Sequence, residues 1–429
     1  MRSTWRYVVG AVAISLLVAA CGGGGGGPEG ATPPPGACEL DADAVRVGVQ
    51  GAMSGSHADY GAQIKMGATL AAEEINADGG IAGCRIDLKF ADSEMDPNVG
   101  ITNARRFVND FGADFVVGVD SSGVALALAP VMKELDRILI VTHGGTEKLT
   151  EELVYEKGNK HVFRVSVPVY QDAIAAALLF KDDPELKRFA TIGADYEYGR
   201  TAWEMFKTTM QKERPDVEFV AEAWAPFNST DFSSQISAVM AAKPDFVFVT
   251  PWGGEAVTMV RQAQGAGVFD SIDVWWQAMG GSVDFLQGVT QGVQNDEFKG
   301  KLWATGRYLF NAPDDDAHRQ FLKVFQKRFE RFPNYSAATT YTSVYAIKKA
   351  VEKARSLKSE PVIKALEGIE VSSPLGPDFY IRAEDHQGVY SVPLGRIAFS
   401  EEYGMACVCE DLTAFEPEEY YRQPPFSKQ

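Results

Sequence analysis

The feature that most constrains the fold of this chain is a regular alternation between short apolar runs and longer segments with helical spacing. In the first part of the sequence the predicted strands cover 45–49, 86–90, 115–119 and 138–141, and the predicted helices cover 63–77, 98–110 and 124–135. The first helix is expected to stop at Asp78-Gly79-Gly80, because glycine is typical of a helix C-cap. Strands that alternate with helices in this way predict a doubly wound parallel α/β sheet of the Rossmann type.

The same alternation begins again near residue 173. The predicted helices there cover 173–180, 199–211, 232–242 and 255–265, and the predicted strands cover 189–193, 217–221 and 246–249, with a further strand ending at 275–279. A chain of 429 residues is too long for one hydrophobic core, so we expect two α/β domains of the same type. Two later helices, 317–331 and 341–355, come too late to complete the second sheet, and the chain is expected to cross back to the first domain.

The first 21 residues have the pattern of an export signal. Arg2 and Arg6 precede a short apolar run at 8–18, which leads through small residues to Cys21. This arrangement predicts a bacterial lipoprotein signal peptide at 1–20, cleavage before Cys21 and lipid on its sulfur. The alternative, a transmembrane anchor, needs about 20 apolar residues and this run is shorter. The Gly- and Pro-rich segment 21–43 is then a tether, and the protein is expected to work outside the cytoplasm, anchored to a membrane by lipid.

Composition excludes several classes of function. With 58 acidic and 41 basic residues, the formal net charge of −17 argues against a nucleic-acid partner and against electrostatic binding to anionic lipid. The sequence has no GxSxG, HExxH or P-loop motif, so we expect neither an enzyme nor a bound cofactor. A metal site is not expected, because the five histidines are scattered at positions 57, 143, 161, 318 and 386.

Four cysteines remain once Cys21 is assigned to lipid. An even number of cysteines in an exported chain predicts disulfides, and four cysteines allow three pairings. We prefer Cys38–Cys84, because each precedes a predicted strand and adjacent parallel strands would bring their starts together. Cys407 and Cys409 then pair with each other or stay free.

Several motifs together resemble those of one known family. They are Gly51-Ala52-Met53-Ser54-Gly55 with Tyr60-Gly61, Ala72 to Asn76 with Gly79 to Ile81, Gly118 through Ser121-Ser122-Gly123, Thr146 to Thr150, Asp195 to Gly199, Trp252 to Gly254, and Arg382 to Gln387. Over about 45–399 the chain resembles type I periplasmic solute-binding proteins, in the branched-chain amino-acid (Leu/Ile/Val) receptor branch of ABC transporters.

The resemblance implies the periplasmic-binding-protein-like I fold, in which two doubly wound lobes are joined by three hinge crossings. The crossings fall near 165–168, 303–306 and 372–375. This gives a first lobe of 44–166 plus 305–372, a second lobe of 167–304 plus 373–410, and a C-terminal tail at 411–429. A small-molecule ligand is expected in the cleft between the lobes.

Two loops of the first lobe carry candidate ligand contacts. Ser121 and Ser122 open a predicted helix, where backbone N–H groups attract a carboxylate, although either serine could instead only cap the helix. His143, Gly144, Gly145 and Thr146 follow the next strand. The hydroxyl position that the family uses here falls on Gly145, and His143 has the alternative of being an ordinary loop residue.

Aromatic residues supply the other candidates. By the resemblance Tyr60 covers the ligand from the first lobe, and Tyr170, Tyr198 and Trp252 are its counterparts in the second, with core packing as the alternative for each. Near Gln277 the amino-acid receptors place an acid that holds the ligand's ammonium group. Either another acid such as Glu255 substitutes, or the ligand is a small carboxylate or amide with an apolar or aromatic body.

The sequence therefore predicts a solute-binding lipoprotein of an ABC importer that delivers an amino acid or another small carboxylate or amide to a membrane permease. We expect a monomer with no cofactor. The alternative is a ligand-sensing module for a signalling partner, since this fold also serves signalling.

Overall fold

The computed structural model describes residues 38–426. Its first sheet is parallel throughout, in the order β2-β1-β3-β4-β5. The strands are β1 Val45–Gly51, β2 Ile86–Asp92, β3 Phe115–Gly118, β4 Ile138–Val141 and β5 Val162–Arg164, and the helices are α1 Ala58–Ala77, α2 Pro97–Phe111 and α3 Ser122–Glu134. The predicted signal peptide, Cys21 and most of the tether lie outside this range.

Helix boundaries in this part follow from local chemistry. Asp96 caps α2 by accepting hydrogen bonds from the amides of Asn98 and Val99, and Pro97 occupies the first turn, where its missing N–H costs nothing. Helix α1 ends where predicted, before Gly79 and Gly80, whose φ angles of 91° and 82° favour glycine. It begins five residues earlier than predicted, at Ala58.

The second sheet is mixed, in the order β14-β13-β10-β9-β8-β6-β7. Its parallel part contains β6 Arg188–Ala194, β7 Glu218–Ala225, β8 Phe246–Val249, β9 Val274–Gln277 and β10 Leu302–Thr305, with helices α4 Val169–Phe180, α5 Glu197–Glu213, α6 Ser233–Ala241, α7 Gly254–Gly265 and α8 Val283–Gln294. We call the parts built on the two sheets the first lobe and the second lobe.

After β10 the chain returns to the first lobe. It forms α9 Asp316–Phe329, α10 Tyr335–Ala354 and α11 Ser359–Leu366. Helix α10 packs closely against α1, because a Cβ atom on Gly67 would lie only 2.3 Å from the carbonyl oxygen of Ala337. Arg328 of α9 pairs with Glu73 of α1 at 2.9 Å.

The last part of the chain completes the second sheet in a way that the sequence pattern did not predict. A two-stranded ribbon forms first, from β11 Tyr380–Ile381 and β12 Gly388–Val389. Strand β13 Pro393–Ser400 then pairs antiparallel with β10, β14 Met405–Ala414 pairs antiparallel with β13, and a short helix α12 Pro417–Tyr420 follows. These strands turn a parallel sheet into a mixed one.

Both cysteine pairs in the described chain are joined. The structure has disulfides between Cys38 and Cys84 and between Cys407 and Cys409. The first is the pairing preferred above, and it ties the start of the first lobe to the segment that precedes β2. No helix within residues 38–426 is long and apolar enough to cross a bilayer.

Candidate ligand-binding site

The loops that follow the parallel strands of the two lobes meet around one small cavity. The lining residues are Asp120 and Ser122 after β3, His143 and Gly145 after β4, Tyr196 and Tyr198 after β6, Trp252 after β8, Met279 after β9, and Arg307 after β10. Every one of these loops lies at the carboxyl end of its strand, which is where open α/β sheets bind ligands.

The two lobes contact each other beside this cavity. The Tyr60 hydroxyl of the first lobe donates to Ser282 Oγ of the second at 3.0 Å. Ser56 Oγ donates to Asn228 Oδ1, also at 3.0 Å. Because these bonds join residues of opposite lobes, the structure represents an arrangement in which the cavity is covered.

Arg307 is the only arginine or lysine among the residues that line the cavity, and its side chain is 1% exposed. Nε donates to Asp172 Oδ2 at 3.1 Å and Nη1 donates to the His143 carbonyl oxygen at 3.0 Å, whereas Nη2 has no partner. Burial disfavours the guanidinium charge, but attraction to Asp172, together with that to Tyr335 and Tyr198, outweighs it and raises the pKa of Arg307. The cavity therefore contains a permanent positive charge with a free N–H donor.

Gly145 makes room for this guanidinium. A Cβ atom built there would lie 2.9 Å from Arg307 Nη2 and 3.3 Å from Nη1, both closer than ordinary van der Waals contact. The hydroxyl-bearing side chain that the resemblance implies at this position is therefore replaced by space for an arginine.

Substitution of Gly145 by alanine is expected to displace the Arg307 guanidinium and to weaken binding of a ligand that contacts this guanidinium about tenfold, or about 1.4 kcal/mol. The melting temperature should change little, because the atoms that move are the end of one side chain. Calorimetric titration of Gly145→Ala measures the effect. Gly123→Ala is the matched control, since its Cβ would meet nothing closer than 3.6 Å. Equal affinities in both variants would contradict the role assigned to Gly145.

Asp120, His143 and Tyr335 form a polar cluster on the first-lobe side of the cavity. Asp120 Oδ2 accepts from the Ala52 amide, and Oδ1 lies 3.4 Å from His143 Nδ1 without a hydrogen bond. The Tyr335 hydroxyl lies 2.8 Å from the same nitrogen. Burial lowers the pKa of His143, so its imidazole is neutral at neutral pH.

Aromatic rings cover the opposite side. Trp252 Nε1 donates to the Tyr196 hydroxyl at 2.8 Å, which fixes the orientation of the indole. The indole meets the Tyr60 ring edge-on, at 4.8 Å between ring centres, and the His57 ring at 4.0 Å. The Tyr198 hydroxyl is buried without a partner. These rings offer an apolar surface with free polar atoms at its edge.

The structure brings five of the predicted binding residues to the cavity: Ser122, His143, Gly145, Tyr198 and Trp252. Tyr60 borders it through its contact with Trp252. Ser121 is the residue before α3, and its side chain makes no capping hydrogen bond.

Four other predicted binding residues do not line the cavity. The Gln277 amide is 0% exposed and is used internally, because Nε2 donates to the Pro251 carbonyl at 2.6 Å and Oε1 accepts from Trp275 Nε1 at 3.3 Å. The carbonyl oxygens of Gly144 and Thr146 accept from Arg164. Tyr170 has its ring 5.5 Å from the Arg422 guanidinium.

Four lining residues were absent from the predicted set: Asp120, Tyr196, Met279 and Arg307. Asp120 and Tyr196 belong to motifs that the sequence analysis quoted. Asp120 directly precedes the predicted contact Ser121, and Tyr196 lies two residues before the predicted contact Tyr198. Arg307 follows a strand like the others, but the sequence analysis assigned only a hinge crossing, at 303–306, to this part of the chain and proposed no ligand contact there. Within residues 38–426 no three His, Cys, Asp or Glu side chains are grouped so that they could hold a metal ion.

Ionisable groups at the contact between the lobes predict how stability depends on pH. Burial raises the pKa of Glu255 from 4.5 to about 7 and that of Asp284 from 3.8 to about 7, and it lowers the pKa of His57 from 6.5 to about 4. Each of the two carboxyls binds more protons in the folded protein than in the unfolded chain. Its contribution to the free energy of unfolding therefore falls as the pH rises towards 7. His57 binds fewer protons in the folded protein, so its contribution to the free energy of unfolding rises between about pH 4 and 6.5. This rise offsets the decrease due to one of the carboxyls.

Glu255→Gln tests this balance, because glutamine has no charge and can still accept the hydrogen bond from the Asn228 amide. The melting temperature of the variant minus that of the wild type is expected to increase from about pH 5 to about pH 7. Thermal denaturation across this range measures it, with the exposed Glu401→Gln as control. A difference that stays constant with pH would contradict the assignment.

Comparison with known proteins agrees with this architecture. The sequence matches a family model described as periplasmic binding protein over residues 44–402. It is 30% identical over 352 residues to Leu/Ile/Val-binding protein homolog 3 of Brucella melitensis, an alignment that covers 80% of this chain and 88% of that protein.

Two solved structures share the fold. One is an amino acid ABC transporter substrate-binding protein from Pseudomonas fluorescens Pf-5, with 24% identity and a TM-score of 0.76. The other is a solute binding protein of an ABC transporter from Rhodopseudomonas palustris BisB5, in complex with 3,4-dihydroxybenzoic acid, with 21% identity and a TM-score of 0.78. Each alignment covers 88% of this chain and 98% of the other.

Proposed function

Because the chain belongs to the periplasmic binding protein family, we propose that it is the solute receptor of an ABC importer and that it captures a small carboxylate between its lobes. Members of this family are solute-binding proteins rather than enzymes, and they act outside the cytoplasm. The observation that carries the ligand assignment is the buried guanidinium of Arg307, whose Nη2 is left without a partner at the cavity.

A carboxylate is the group that best satisfies this donor. A buried N–H without a partner costs about 1 to 3 kcal/mol, and more when the group is charged. A carboxylate accepts from a guanidinium through charge-assisted bonds and also compensates its charge. Asp172 already accepts from Nε, so a ligand carboxylate would accept from Nη2, the guanidinium nitrogen that has no partner among the described residues.

The rest of the ligand is expected to be apolar or aromatic. Trp252, Tyr196, Tyr198 and Met279 present ring and thioether surface to the cavity. The relatives described above include an amino-acid receptor and a receptor crystallised with a dihydroxybenzoic acid, and both ligand classes combine a carboxylate with such a body. Both classes therefore belong in the first ligand screen.

Capture follows from the contacts between the lobes. A ligand that touches Arg307 and Trp252 contacts loops that follow different strands. It stabilises the closed arrangement through the contacts that it makes only in that arrangement. In the proposed cycle the lipid on Cys21 holds the protein at the membrane, and the closed form docks on a permease.

A thermal-shift screen of protein that begins after Cys21 tests the proposal. The panel contains amino acids, aliphatic acids, aromatic acids and the corresponding uncharged amides. A carboxylate at 100 times its Kd is expected to stabilise the folded protein by about 2.7 kcal/mol, and the amide of the same acid should give a smaller shift. Shifts with amides as large as those with acids, or no shift with any carboxylate, would contradict the assignment.

Trp252→Ala and Tyr198→Ala are expected to weaken binding of any carboxylate found in that screen by at least about tenfold, or about 1.4 kcal/mol each. Each change removes a ring that lines the cavity. Tyr170→Ala is an informative comparison, because its ring lies away from the cavity and its loss should leave affinity within about threefold. Unchanged affinity in both cavity variants would refute the cleft assignment.

A further inference from the structure

Asp120 presents a buried carboxylate oxygen that nothing in the described structure satisfies. The side chain is 3% exposed and lines the cavity. Oδ2 accepts from the Ala52 amide, but Oδ1 has no donor, and the neutral imidazole of His143 approaches it only to 3.4 Å. A carboxylate buried in this way is costly unless a cation or several donors compensate it. None of the described side chains donates to Oδ1, so the cavity lacks a positive group beside this oxygen.

The position of Asp120 also changes what the start of α3 can bind. The amides at the start of a helix attract an anion, and the resemblance places the ligand's carboxylate beside Ser122 for that reason. Here Asp120 already places a negative charge two residues before the helix. A second carboxylate at Ser122 would be repelled by it, in a buried environment where charges interact more strongly than in water.

The positive charge of the cavity lies on the other side of His143. The His143 ring faces Asp120, and its backbone carbonyl accepts from Arg307 Nη1 at 3.0 Å. Asp120 and Arg307 are therefore separated by one residue and line the same space. A small molecule that carries a positive and a negative group can contact both.

We propose that the ligand is a zwitterion whose ammonium group binds Asp120 in the first lobe while its carboxylate binds Arg307, the reverse of the orientation that the resemblance implies. This inference rests on the proposed function, because it assumes a carboxylate at Arg307. The acid that is missing at Gln277 is then supplied from the opposite lobe. The rings of Tyr198 and Trp252 contact the ligand's side chain.

Matched ligands with and without an amino group test the assignment. The pairs are L-phenylalanine with 3-phenylpropanoate and L-leucine with 4-methylpentanoate, titrated by calorimetry at neutral pH. Wild-type protein is expected to prefer at least one amino acid over its partner by about 30-fold or more. In Asp120→Asn that amino acid should lose about 30-fold in affinity, while its partner changes by less than about threefold.

Asp120→Asn keeps an oxygen that can accept from the Ala52 amide, and its melting temperature and circular dichroism report whether it folds. Asp110→Asn, at an exposed position of α2 away from the cavity, makes the same chemical change as a matched control and should change neither affinity by more than about threefold. The affinities of the wild-type protein for the two ligands of each pair can be compared without any variant. This comparison tests whether the ammonium group contributes to binding even where Asp120→Asn is unstable.

The possible failures are distinct. If no carboxylate binds at all, the proposed function is wrong and this inference falls with it. If the acids without an amino group bind as tightly as the amino acids, or if Asp120→Asn weakens both members of a pair alike, carboxylate capture stands and the reversed orientation is overturned. A tenfold loss in Ser122→Ala, with none in Asp120→Asn, would support the orientation implied by the resemblance instead.

Discussion

Replacement of Arg307 by methionine is expected to abolish carboxylate binding, with a loss of affinity of at least about 100-fold, or about 2.7 kcal/mol. The change removes the positive charge and the free Nη2 donor at the cavity. It also leaves Asp172, which is 1% exposed, without its cationic partner. Removing one partner of a buried ion pair costs about 3 to 5 kcal/mol, so the free energy of unfolding should fall as well.

Two further variants separate binding from stability. Arg307→Met combined with Asp172→Leu removes both charges, and it should recover most of the lost stability because apolar residues of similar volume replace buried ion pairs well. Its affinity should stay as low as that of the single variant. Arg307→Lys keeps the charge but has a single donor group in place of the planar fork, and it should bind with intermediate affinity. Recovery of binding in the double variant would show that Arg307 acts only through the fold.

Loss of the disulfide between Cys38 and Cys84 is expected to have the largest effect on stability outside the site. The two cysteines are 46 residues apart, and the loop-closure model assigns about 4 kcal/mol to a loop of that length. Urea denaturation of Cys38→Ser/Cys84→Ser measures the loss. Ligand affinity should remain nearly unchanged, because neither cysteine lines the cavity.

The second disulfide provides the matched control. Cys407 and Cys409 are only two positions apart in the sequence, so their bond closes a very short loop and restricts the unfolded chain little. Cys407→Ser/Cys409→Ser is expected to cost less than half as much as the loss of Cys38–Cys84. Equal losses for the two double variants would contradict the loop-length argument.

Much of the architecture could be predicted from local sequence. Runs such as Phe246–Val249 are apolar at every position, as strands buried on both faces require, and the structure has β8 at those residues. The two α/β domains follow from the same pattern and the family follows from the ordered set of motifs, and both are confirmed. Strand β5 was missed because it has three residues, and β13 was missed because Gly395 and Arg396 interrupt its apolar positions. Strand β14 begins with an apolar run, 405–408, that the sequence analysis did not assign to a strand.

The site was predictable where a motif directly follows a buried strand. Ser122, His143, Tyr198 and Trp252 all lie in such loops, and the topology of a doubly wound sheet brings those loops to one edge. Side-chain direction was not predictable in the same way. Gln277 ends β9 as expected, yet its amide turns inward to the Pro251 carbonyl, because that buried oxygen needs a donor.

The sequence by itself determined the alternation of strands and helices, the two lobes and the loops that line the cavity, since each depends on interactions between residues close together in the chain. Only the tertiary structure decided the charge of the cavity. In the sequence Arg307 lies 135 residues from Asp172 and 164 residues from His143, and it donates to both. Such partners are chosen by packing between distant segments, where a buried charge is stable only beside the groups that compensate it.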